Sequence, residues 1–197
     1  MYARAAAIAP SEPEVLLERA RMLYALKGDY LRALKETARA LAHAGSDKWL
    51  RFEILRLQGR IFFALDRDDK AIQAYRAALR LRPGDIWLLA DIGKALVLSG
   101  HPAQALRYLE RALRLSGSLD FLDRGSRDFV VVAKAEALAA LERHWDVLRT
   151  VRAEMPCLRD PIARQVLGNL GDEARRLGAT TARSPREGAK NRTRADR

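Results

Sequence analysis

The side chains best suited to chemistry in this sequence are basic and aromatic: Arg19, Arg56, Arg60, Lys94 and Lys134, with Phe63, Trp87 and Asp91 among them. A guanidinium grips a carboxylate through two parallel hydrogen bonds. Trp and Arg also contribute most strongly to the energy of protein interfaces. That chemistry is recognition of an acidic partner rather than bond making. Residues for catalysis are sparse. His43, His101 and His144 stand far apart, with no triad or metal-ligand spacing between them. The acidic pairs Asp68-Asp69 and Asp172-Glu173 fall at helix starts or on exposed helix faces, where they complement helix dipoles. Cys157 is the single cysteine, so neither an intramolecular disulfide nor a thiolate metal site is available, and a partly buried structural thiol is expected. No enzyme, cofactor or metal is expected.

The elements that must carry these residues are set by a repeat. Gly59, Ala71, Ala78, Leu79 and Leu81 recur 34 residues later as Gly93, Ala105, Ala112, Leu113 and Leu115. Tyr75 is matched by Leu109, and Pro83 by Gly117. A fixed period of this length marks a stacked repeat array. Ala and Leu dominate the apolar residues, which argues for helices throughout. Ile86 to Leu98 has helical spacing, Ser99-Gly100-His101-Pro102 breaks it, and a second helix runs to about Leu115. Asp66-Arg67-Asp68 makes the equivalent turn one repeat earlier, with Asp68 its expected N-cap.

This pattern resembles the tetratricopeptide repeat. Gly59 and Gly93 stand at that family's small position in the first helix. Ala71, Tyr75, Ala78 and Pro83 stand at its small, large, small and helix-ending positions in the second. The resemblance implies an all-α, right-handed helical solenoid of helix hairpins with a C-terminal closing helix and a disordered tail. The expected organisation is a half-repeat or N-terminal cap helix over 1–12, repeats over 13–51, 52–85 and 86–119, a degenerate hairpin over 120–158, a capping helix over 159–177 and a basic tail over 178–197. Tyr2, Ala5, Ala6, Ile8 and Pro10 align with Tyr75, Ala78, Leu79, Leu81 and Pro83, which is why the start reads as a half-repeat. Arg21 replaces the family's Gly in the first repeat.

First helices of such hairpins line a concave surface. The inward positions would be Arg19 and Met22; Arg56, Arg60 and Phe63; Trp87, Asp91, Lys94 and Leu98; and Val130, Lys134 and Ala137. The implied function is a non-catalytic scaffold holding a helix or peptide of another protein, acidic in character. Some relatives clamp a terminal carboxylate with Lys, Asn and Arg, but the Asn positions here hold Met22, Arg60 and Lys94, so that function does not carry over. The net charge of +11 keeps a nucleic-acid-binding repeat module as an alternative, although Arg far outnumbers Lys and six basic residues lie in the tail. The repeat region of a larger enzyme is a further alternative, and self-association a further mode. No stretch has the length of a transmembrane segment, and a cytoplasmic location is expected.

Overall fold

The computed structural model describes residues 12–116 and 124–183. Among them the fold is all-α, with nine α-helices, one 3-10 turn and no strand. The chain divides into two compact units between His101 and Pro102, inside the expected third repeat.

In the first unit α1 (Pro13–Lys27) pairs with α2 (Tyr30–His43), and α3 (Lys48–Ala64) pairs with α4 (Asp68–Leu81). Helix α5 (Ile86–Leu98) packs on α4, and α2 on α3. The alanines of the repeat lie where helices meet: Ala33, Ala40, Ala71 and Ala78 are all fully buried. Leu16, Leu17, Leu50, Ile54 and Ile61 close around Ala33 and Ala40. Gly59 admits the ring of Tyr75 from α4; a Cβ there would lie 2.3 Å from two ring carbons.

The second unit holds α6 (Pro102–Ser116), α7 (Arg124–Ala140), α8 (His144–Glu154) and the closing helix α9 (Pro161–Arg183). Helix α7 contacts α6, α8 and α9. That three-sided packing buries Val130 and Ala137 completely, so these two expected surface positions belong to the core instead. Between α8 and α9 the 3-10 turn Met155–Cys157 hands its core seat to Leu158, which is 1 % exposed. Cys157 consequently faces outward, against the expectation of a partly buried thiol.

Three turns between successive helices share one geometry. Asp66, Gly100 and Glu142 adopt left-handed backbone with φ of 55°, 77° and 55°. In each case the next amide donates to the carbonyl five residues back: Arg67 to Phe62, His101 to Leu96 and Arg143 to Leu138. Gly28 makes a wider version, with Asp29 donating to Leu23. Asp68 is therefore the first residue of α4 rather than its N-cap; Arg67 takes the cap position with no side-chain bond, and the acid acts through the dipole of the first turn. Between hairpins, Asp47 and Asp85 do cap, accepting from the amides of Leu50 (3.0 Å) and Leu88 (2.8 Å). Before α9 a different device appears. The carboxylate of Asp128, 3 % exposed on α7, accepts the amides of Arg159 and Asp160 at 2.8 and 2.9 Å.

Helix α9 continues past the expected end at residue 177 as far as Arg183. Buried Gly178, beside the Cβ of His144, keeps this part of the helix against α8. Residues 1–11 of the expected half-repeat, most of the connection after Ser116 and residues 184–197 of the expected tail lie outside the described residues, whereas residues 178–183 of that tail are helical. All three tryptophans are substantially exposed, Trp49 by 53 %, Trp87 by 44 % and Trp145 by 71 %.

Candidate functional site

The caps made by Asp47 and Asp85 fix where α3 and α5 begin, and so where their side chains point. Arg56 and Arg60 stand one turn apart on α3, beside α1. Between the two helices is a cavity of about 390 Å³ lined by Arg21, Tyr24, Ala25, Glu53, Arg56, Leu57 and Arg60.

Glu53 organises this cavity. It is buried, and a single carboxylate oxygen, Oε2, accepts from Arg21 of α1 at 2.6 Å and from Arg56 at 2.8 Å. Arg21 also donates to Glu18 at 3.0 Å. A carboxylate removed from water is tolerable only when its lone pairs are met by charged donors, and here two helices supply one guanidinium each. Arg56 lies 5.5 Å from the centroid of Phe52, whose ring also receives Arg82 at 4.8 Å. Arg60 is held differently. It is exposed, and its guanidinium sits 5.8 Å from the centroid of Tyr24, which packs against Tyr30.

Asp91 on α5 faces the same cations. Burial pushes its carboxyl up to about 6; Arg60, Arg56 and Lys94 pull it down, and Asp85 adds to the rise. Beneath, burial drives the Tyr75 phenol well above its ordinary value, with Asp91 and Tyr24 acting in the same direction and Arg60 opposing.

Of the residues expected on this face, the structure brings Arg56 and Arg60 together at the cavity, with Asp91 in electrostatic reach of both and of Lys94. Trp87 lies exposed on the first turn of α5. Phe63 is half-buried near the end of α3 and does not line the cavity. Arg19 turns toward its own hairpin, reaching Glu36 of α2 at 3.9 Å. Met22 is exposed on α1, and Leu98 is exposed at the end of α5. Lys134 belongs to α7 of the second unit and is half-buried there.

Five cavity residues escaped the sequence reading: the polar or aromatic Arg21, Tyr24 and Glu53, and the apolar Ala25 and Leu57. The signal for one of them was present. Arg21 occupies a position where the repeat asks for a small residue, and a large cation there needs a carboxylate nearby. Among the described residues no group of three or more His, Cys, Asp or Glu side chains converges as metal ligands, and no helix is long and apolar enough to cross a membrane.

Residues 59–100, from the glycine of α3 through α5, match the family model described as TPR repeat. Over 88 residues, 45 % of this chain, the sequence is 32 % identical to tetratricopeptide repeat protein 21A of Mus musculus. The matched segment spans 6 % of that protein's length.

Proposed function

On the premise that this chain is a tetratricopeptide-repeat protein, whose repeats generally mediate protein–protein interaction, we propose that it is a non-catalytic scaffold binding an acidic segment of another protein. The segment lies on the face shared by α1, α3 and α5. The observation that carries this reading is the cavity between α1 and α3, where three guanidiniums face one carboxylate. Two of them are already oriented by Glu53, so little ordering is required of the receptor when a partner binds. Trp87, on the first turn of the neighbouring helix, supplies apolar contact area of the kind that anchors interfaces.

The test is capture from nuclease-treated lysate of the source cell on immobilised protein, comparing wild type with Arg60→Glu/Lys94→Glu. Arg56 is left intact because a carboxylate there would confront Glu53. A discrete protein retained by wild type and lost by the double variant, at unchanged helicity, supports the reading. Equal retention by both removes the α1–α3–α5 face from consideration. Recovery only of material that nuclease destroys, consistent with a net charge of +11, replaces the protein partner with nucleic acid.

A further inference from the structure

Resting on that reading, we infer that the cavity between α1 and α3 is a subsite for a phosphorylated side chain, so that the partner segment is recognised in its phosphorylated form. The argument begins with stoichiometry. One bidentate guanidinium satisfies a carboxylate, whose two oxygens match one planar fork. Here Arg21, Arg56 and Arg60 converge from two helices on one cavity of about 390 Å³, more donors than a single carboxylate can engage. A phosphate monoester presents three acceptor oxygens and a charge near −1.5 to −2 at neutral pH.

The second strand of the argument is preparation. Arg21 and Arg56 are fixed by a shared contact to one oxygen of Glu53, Arg21 also donating to Glu18, and these contacts use only some of each guanidinium's five N–H donors. Arg60 lines the same cavity, forms no ion pair within 4.0 Å among the described residues, and rests on the Tyr24 ring with Asp91 in electrostatic reach. The third strand is where negative charge is unwelcome. A run of carboxylates continuing across the face would meet Asp91 on α5, whose ionised form already depends on Arg60, Arg56 and Lys94. Concentrating the ligand's charge in one doubly charged group between α1 and α3 avoids that encounter.

The experiment uses the full chain and two nine-residue peptides of identical Glu-containing sequence, one with a central serine and one with phosphoserine, titrated calorimetrically at pH 7.5. Inorganic phosphate serves as competitor. The phosphopeptide is expected to bind about tenfold tighter or better, and Arg60→Gln should remove most of that difference. Glu53→Gln separates a built site from a diffuse positive field. It adds net positive charge yet releases Arg21 and Arg56, so the phosphopeptide should bind more weakly; tighter binding overturns the subsite. Equal affinity for the two peptides also overturns it, while leaving the acidic-segment reading in place. Binding of neither peptide defeats both. Inorganic phosphate binding as tightly as the phosphopeptide shows a free-anion site and likewise refutes recognition of a modified partner. Should Glu53→Gln not fold, the exposed Arg60→Gln variant decides alone.

Discussion

Replacing Gly59 by alanine should destabilise the first unit despite the better helix propensity of alanine. In a helix interior that propensity is worth about 1 kcal/mol in favour of alanine. Against it stands the ring of Tyr75, with Cδ1 and Cε1 2.3 Å and Cγ 2.9 Å from the added Cβ. The nearest atoms include the ring carbon attached to Tyr75's own Cβ, so rotating the ring cannot clear the contact. Tyr75 is 2 % exposed and has no room to retreat. Either α3 and α4 separate or the ring leaves its rotamer, and overpacking of this kind costs about 1–3 kcal/mol, with close backbone approaches at the upper end. The net loss should be about 2 kcal/mol, read as a lowered urea midpoint by far-UV circular dichroism. Two other helical glycines calibrate the result. At Gly168 a Cβ would make an ordinary 3.9 Å contact with Met155, so Gly168→Ala should gain about 0.5–1 kcal/mol. At Gly171 the nearest atom, of Val151, lies 3.2 Å away, and the two terms should nearly cancel. Adding Tyr75→Leu, the residue type that Leu109 supplies one repeat later, should recover part of the Gly59→Ala loss in a double-mutant cycle. Gly59→Ala as stable as wild type would refute the claim that the Gly59–Tyr75 approach closes this hairpin.

Three further outcomes follow from the structure. Because Asp91 is raised from 3.8 to about 6, the folded chain keeps a proton there between those pH values that the unfolded chain has lost. Its contribution to stability therefore falls as pH rises through that window, and Asp91→Asn should raise the unfolding free energy obtained from urea titration at pH 7.5, by up to about 3 kcal/mol, but leave it nearly unchanged at pH 4. Asp128→Ala strips two amides of their acceptor and should cost about 2 kcal/mol, with faster amide exchange at 159 and 160; Asp128→Asn, which keeps a carbonyl oxygen, should recover part of the loss. Asp66→Gly and Glu142→Gly should each stabilise by about 1 kcal/mol in thermal melts, since both positions hold left-handed backbone that costs a residue with a Cβ.

The sequence was most informative where one residue type answers to one neighbour at fixed spacing. Ala71, Ala78, Gly59 and Tyr75 declare helix contacts because only small and large residues in that order allow two helices to approach, and Ile86–Leu98 begins and ends where its Asp85 cap and Gly100 turn require. It was least informative where a side chain's partner lies far along the chain. Nothing around Glu53 announces that Arg21 of another helix will share its oxygen with Arg56. Asp128 reads as a surface acid on a helix until the amides 31 and 32 residues later are seen against it. Val130 and Ala137 were assigned to a surface by helical projection, which counts one packed side, whereas α7 has three neighbours. Cys157 differs from its expected place by a single residue: Leu158, just after the 3-10 turn, takes the buried seat.

The outward placement of Trp49, Trp87 and Trp145 has an optical consequence. An indole about half in water shifts its emission less on unfolding than a buried one, so the wavelength of intrinsic fluorescence will report unfolding only weakly in this protein. The same placement leaves one of its three chromophores, Trp87 on the first turn of α5, partly in contact with solvent at the face proposed above to bind a partner. A partner that covers that indole should shift its emission to the blue, giving an unlabelled signal that responds to occupancy and only weakly to the fold.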